Sequence, residues 1–274
     1  MEQKFISING LNLAYVEKNS SAPQTIIFIH GNSGSSRLWQ KQFESDLLNN
    51  YRLVAIDLPG HGQSEWGKDP LDDYSPIGTG KILSEAIRDI TGNNSFLLIG
   101  FSYGTNVVAE MLEFEVKPVG IVFIGSCVVG KDHGLDKVFK ANESPSIFFY
   151  NETNKEQVKR SMANSLMAAT QREIEILAED YLNVSPDFKP ALFKSVVEGK
   201  ISDEIAALQK FNIPVLTIFG AEDSVVNINY LDEFPFPIWR EHIYKLSRAG
   251  HFIYIDRSEE FTRLLSEYIK AILH

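Results

Sequence analysis

A serine set between two glycines, Gly100-Phe101-Ser102-Tyr103-Gly104, has the residue types and spacing of a nucleophile. An apolar run over 96–99 precedes it and a helix-compatible run over 106–112 follows, so Ser102 falls at the apex of a strand–turn–helix. The turn is tight enough to strain the serine backbone, and Gly100 and Gly104 remove the Cβ atoms that would collide where strand and helix cross. The bland alternative is a Gly-Ser turn with no chemistry. A serine hydroxyl is a poor nucleophile at neutral pH, so the chemical reading requires a base within hydrogen-bond reach and an acid to orient that base.

With this elbow, acid and histidine follow the serine in that order. Residues 213–219 read as a buried strand, and Gly220-Ala221-Glu222-Asp223 comes directly after it. Asp223 is the expected acid. Glu222 beside it and Asp132, after the strand over 119–124, are the alternatives. An aspartate in such a place is otherwise an ordinary turn residue. Three histidines follow the acid: His242, His251 and His274. His274 is terminal, and His242 opens a strand at the wrong end of the sheet. His251, in Ala249-Gly250-His251-Phe252, follows a strand over 242–246 and is the expected base. Acyl transfer also needs donors for the oxyanion. The backbone N–H of Tyr103 is one, at the positive end of the following helix. The backbone N–H of Asn32 is the other, from the loop His30-Gly31-Asn32-Ser33-Gly34-Ser35-Ser36.

Other chemistry-bearing residues read as structural. His30 pins a loop, and His61 precedes the serine in the chain. Cys127, the single cysteine, reads as a buried, inert thiol. Metal-ligand spacings, a Walker lysine and a G-x-G-x-x-G after a strand are all missing from the sequence, so neither a metal nor a nucleotide or flavin cofactor is expected.

Strands and helices must alternate to bring residues 102, 223 and 251 together. Residues 4–8 and 11–16 flank the hairpin turn Asn9-Gly10. Buried strands are expected over 25–30, 52–57, 96–99 and 119–124, with helices over 36–50 and 77–91. The rhythm changes from 127 to 210. Helical stretches dominate there (155–169, 171–182, 186–197 and 203–210), and only the aromatic run 147–150 looks strand-like. Strand character resumes at 213, and a last helix over 259–273 has Ser258 as its expected N-cap. Alternation of this kind predicts an α/β chain with a mostly parallel central sheet whose active residues collect at the carboxyl ends of its strands. The expected division is a core of 1–126 and 211–274 and a helical cap of 127–210.

The chain has 274 residues, 44% of them hydrophobic, and a net charge of −10. That charge argues against a nucleic-acid partner and mildly disfavours anionic substrates. No apolar run is long enough to span a membrane, no signal peptide is visible at the start, and the lone cysteine fits a reducing compartment; a cytoplasmic protein acting on a small molecule is expected.

These motifs together resemble the α/β-hydrolase fold family: His30-Gly31-Asn32, Asp57-Leu58-Pro59-Gly60-His61-Gly62-Gln63-Ser64, the elbow at 100–104, Gly220–Asp223 and Ala249-Gly250-His251. They occur in the family's order and span nearly the whole chain outside 127–210. The resemblance implies an eight-stranded, mostly parallel sheet with helices on both faces, a cap inserted after the sixth strand, and a Ser102–His251–Asp223 triad. It assigns Asp57 and His61 structural roles. A serine rather than an aspartate at the apex disfavours epoxide or haloalkane hydrolysis. Residues 30–33 and the spacing after Asp223 are similar to those of the serine-dependent N-acyl-homoserine lactonases, a group in which the acid can be glutamate. The implied activity is hydrolysis of a carboxylic ester or lactone through an acyl-enzyme. Carbon–carbon bond hydrolysis of a diketone-like acid, thioester cleavage, perhydrolysis and a non-catalytic ligand receptor are the alternatives. Phe148, Phe149, Tyr150, Met162, Leu166 and Met167 are expected to line an acyl pocket under the cap, Met and aromatic side chains being suited to adaptable apolar pockets.

Overall fold

The eight strands of the computed structural model form one sheet in the order β1-β2-β4-β3-β5-β6-β7-β8. Residues 2–131, 133–140, 147–233 and 236–273 are described, the side chain of Phe149 excepted. The strands are β1 Glu2–Ile8, β2 Leu11–Lys18, β3 Thr25–Ile29, β4 Arg52–Ile56, β5 Phe96–Phe101, β6 Gly120–Ile124, β7 Val215–Gly220 and β8 Tyr244–Leu246. Asn9 and Gly10 both take positive φ between β1 and β2, as a two-residue hairpin turn demands. β2 runs antiparallel to both β1 and β4, and all the remaining pairs are parallel.

β3 lies between β4 and β5, so the chain adds β4 on one side and then returns to add β5 on the other. Connections leave β3 and β5 in opposite directions, and a crevice opens between their carboxyl ends, the usual ligand site in such sheets. Ser102 follows β5 and the 30–36 loop follows β3, so the topology delivers both to this crevice.

The central strands are buried on both faces. Ile27, Ile29, Val54, Ile56 and Leu98 belong to one hydrophobic cluster, and Ile26, Phe28, Leu53, Ala55 and Leu97 to the other. This is the two-residue period of a pleated strand, and it explains why these segments read as unbroken apolar runs. Helices α1 (Pro76–Thr91) and α2 (Tyr103–Met111) bury their apolar residues in the first cluster. The helical insertion between β6 and β7 carries α3 (Lys155–Asn164), α4 (Gln171–Leu182), α5 (Phe188–Val197) and α6 (Glu204–Phe211). α3 and α4 pack into the second cluster with the terminal helix α7 (Ser258–Leu273), whereas α5 and α6 join the first. The insertion thus contributes to both hydrophobic clusters. Among the described residues, no helix is long and apolar enough to cross a membrane.

Several local expectations change. The helix expected over 36–50 is three short pieces, broken where Ser45 turns extended (φ −73°, ψ 131°) and its hydroxyl accepts the Leu47 N–H. Ser and Asp side chains compete for backbone groups in this way. The aromatic run is a 3₁₀ turn, Ile147–Phe149, rather than a strand. The last helix already includes Ser258, with the Phe261 N–H donating to the Arg257 carbonyl, so Ser258 is its first residue and not its cap.

Candidate active site

Ser102 has φ 50° and ψ −123°, a strained conformation for a residue with a Cβ. The Thr105 N–H and hydroxyl both donate to its carbonyl, at 2.8 and 2.7 Å, which closes the turn into α2. A Cβ on Gly100 would lie 2.6 Å from the Gly104 carbonyl oxygen, and one on Gly104 would lie 2.5 Å from that of Ile29. Backbone stands on both sides, so any larger residue at either glycine would push strand and helix apart.

The acid turn and the histidine loop are joined by backbone bonds. Ala221 N–H donates to Leu246 O at 2.9 Å, and Glu222 N–H to Ala249 O at 3.1 Å. The Glu222 carboxylate accepts the Ala249 N–H at 3.1 Å, which turns it away from the imidazole. Asp223 is fully buried. Its Oδ1 accepts the N–H groups of Val225 (2.8 Å) and Val226 (3.0 Å), and its Oδ2 lies 2.8 Å from His251 Nδ1. With the carboxylate as acceptor, Nδ1 carries the proton and Nε2 is left as the basic nitrogen. His251 is itself buried, 4.9 Å ring to ring from Phe101, the residue before the serine. Gly125, after β6, lies alongside: a Cβ there would stand 2.9 Å from His251 Cε1. Asp132 and His274 fall outside the described residues.

The loop after β3 runs against the serine, since a Cβ on Gly31 would stand 3.0 Å from Ser102 Cβ. Three of its amides are engaged. Ser33 N–H donates to His61 Nε2 (3.2 Å), Gly34 N–H to Gly31 O (3.2 Å) and Ser36 N–H to Asp57 Oδ1 (2.6 Å). The Asn32 side chain donates to Phe148 O at 2.7 Å and accepts the Ser33 hydroxyl at 2.7 Å, which ties this loop to the 147–149 turn. As the first helical residue, Tyr103 has a backbone N–H with no acceptor inside the helix.

His30 and His61 hold loops. His30 Nε2 accepts the Leu58 N–H at 3.0 Å while Nδ1 donates to Gly31 O at 2.8 Å; His61 Nδ1 donates to Pro59 O at 3.0 Å. Burial lowers the pKa of both rings, that of His61 well below its ordinary value, so both fold neutral and gain a proton on unfolding. The stability they contribute is complete above about pH 6.5, the unfolded imidazole value, and is lost as pH falls toward the depressed folded values. Urea unfolding at pH 7.5 and 5.0 is expected to show a smaller acid loss in His61→Gln than in the wild type, a comparison that cancels the other titrating groups. An equal loss in both would contradict it.

A cavity of about 100 Å³ opens beside Ser102, Tyr103, Asn32 and Asn106. Of the expected pocket residues, Phe148 lines it and the side chain of Phe149 lies outside the described residues. The other four are placed elsewhere. Met162 and Leu166 are buried in the cluster on the opposite face, because α3 packs onto α4 there. Tyr150 and Met167 are exposed. The Met167 N–H donates to Asp256 Oδ1, whose partner oxygen accepts the Gly250 N–H, so this segment braces the histidine loop instead of lining the cavity. The lining comes from Leu135, Phe139 and one side of α5: Lys189, Leu192, Phe193 and Val196. Their i, i+3, i+4, i+7 spacing is legible in the sequence as one helical stripe, with a lysine on it. Cys127 also lines the cavity, its Sγ 3.8 Å from the Ser102 hydroxyl. Burial pushes its thiol pKa far up.

The profile of the alpha/beta hydrolase fold family matches residues 24–258. A structure of the N-acyl homoserine lactonase AidH, a mutant complexed with N-hexanoyl homoserine lactone, superposes with a TM-score of 0.90 at 19% identity, covering 98% of each chain. The esterase RhEst1 from Rhodococcus sp. ECU1013 superposes with a TM-score of 0.82 at 23% identity, covering 99% of this chain and 100% of its own. Monoacylglycerol lipase abhd6-A of Xenopus laevis is 21% identical over 288 residues, 99% of this chain and 83% of that protein. With the profile matched across most of its length, on a sheet with the strand order described above, this chain belongs to the alpha/beta hydrolase fold family.

Proposed function

We propose that this protein hydrolyses carboxylic esters or lactones through an acyl-enzyme on Ser102. The observation that carries this reading is the buried 2.8 Å pair of His251 and Asp223, the imidazole packed on Phe101 directly before a strained serine that lines a largely apolar cavity. The hydroxyl turns to Nε2 of His251, gives up its proton there and attacks the substrate carbonyl. Asp223 holds the ring and stabilises its cation. The N–H groups of Tyr103 and Asn32 receive the oxyanion. His251 then protonates the leaving alcohol and the carbon–oxygen bond breaks. Water enters, gives a proton to Nε2 and attacks the acyl carbonyl, and the acid leaves with Ser102 restored.

A lactone follows the same steps, but its alcohol stays tethered to the acyl group. The likeness to AidH, a lactonase crystallised with a homoserine lactone, makes N-acyl-homoserine lactones a neutral test of the lactone half of this reading.

Stopped-flow mixing with p-nitrophenyl acetate is expected to release a burst of about one nitrophenolate per chain, with an acetyl adduct mapped to the peptide bearing Ser102. An N-acyl-homoserine lactone is expected to yield one acid per turnover. Absence of burst and adduct, with esters, lactones and thioesters all consumed at the buffer rate, would leave a ligand receptor in place of the hydrolase.

A further inference from the structure

We propose that Lys189 recognises a carboxylate in the substrate cavity, so that the preferred ester or lactone carries a negative charge away from its scissile carbonyl. This deepens the ester-hydrolase reading and rests on it. Lys189 lines the same cavity as Ser102 and is 3% exposed. Among the described residues it forms no ion pair and donates no side-chain hydrogen bond; its one close partner is the ring of Tyr181, 3.4 Å from Nζ to the centroid. A π face attracts the cation but leaves ammonium protons without acceptors. The side chains that share its helical stripe on the cavity wall, Leu192, Phe193 and Val196, carry no acceptor, and no carboxylate lines the cavity among the described residues. Burial alone pushes its pKa down to about 7, with no carboxylate to oppose the shift.

A buried cation without an anion is costly to keep, and lysines are almost never fully buried unless paired. A substrate carboxylate would supply the missing partner. The net charge of −10 repels anions at long range, but salt screens that field beyond about 8 Å. Contact with an ammonium in an apolar wall is screened much less and decides what is held once the substrate has entered.

Two substrate series test the idea. Monomethyl succinate, glutarate and adipate place the charge on the acyl side; butanoyl esters of ω-hydroxy acids place it on the alcohol side. Each is compared with the neutral ester of equal chain length. In at least one series the wild type is expected to favour the charged member by tenfold or more in kcat/KM, and Lys189→Met to lower that ratio at least tenfold. Calorimetric binding of adipate, the free diacid, gives a readout independent of turnover, with affinity expected to fall at least tenfold in Lys189→Met. A wild-type preference for the neutral member in both series, or a ratio unchanged in Lys189→Met, would overturn the assignment. If instead no ester turns over faster than with Ser102→Ala, the hydrolase reading has failed, and adipate binding alone decides the role of Lys189.

Discussion

Replacing Ser102 by alanine is expected to lower kcat/KM for a responsive ester by on the order of 10⁵-fold, leaving the fold intact. The size of the loss comes from the elbow. The serine is the residue that the strained turn presents to the cavity, and the residue that remains within reach is poorly suited to replace it. Cys127 Sγ is 3.8 Å from the serine hydroxyl, but burial raises its pKa and keeps the thiol protonated and unreactive at neutral pH. Any residual hydrolysis in Ser102→Ala should therefore be insensitive to thiol reagents. Initial rates on acetate and butanoate esters, with circular dichroism to verify folding, measure the effect. Retention of even a tenth of the wild-type rate would remove Ser102 from the chemistry.

The second large effect is expected from Asp223→Asn, a loss of about 10⁴-fold, mostly in kcat. The loss originates in the hydrogen bonds of the carboxylate. Oδ1 accepts two backbone N–H groups, from Val225 and Val226. An asparagine must keep its oxygen on those donors, and its amide NH₂ then faces His251 Nδ1. The ring can meet that donor only by accepting at Nδ1, which places its proton on Nε2 and removes the base that Ser102 needs. Glu222 does not step in, because its carboxylate is turned to the Ala249 N–H. Glu222→Gln should cost far less than Asp223→Asn. The pH profile provides a check: if the tautomer argument holds, the loss persists across neutral pH and is not recovered at high pH. Equal losses in the two variants, or full recovery of Asp223→Asn at high pH, would show that His251 is oriented by something other than Asp223.

Much of this arrangement is written in short stretches of sequence. Gly100, Ser102 and Gly104 announce the elbow because tight turns have few solutions, and each is enforced by atoms close by. The unbroken apolar runs of the central strands announce a sheet covered on both faces. The order of Ser102, the acid turn and His251 follows from strands that alternate with helices. The choice between Asp223 and Glu222 does not follow, because two neighbouring side chains in a turn differ only in direction. That direction is set by Val225, Val226 and Ala249, whose amides reach the turn through tertiary contacts.

The cavity wall is the part least legible in local sequence. Met162 and Leu166 have the right chemistry for an acyl pocket, yet α3 and α4 pack together and bury them on the opposite face. α5, which carries Lys189, turns its stripe toward Ser102 instead. Local sequence gives a helix its apolar face but not the surface that the face will cover. That is decided when distant segments compete to bury area, and only the folded chain shows that a lysine came to rest on the wall of the serine's cavity without an anion.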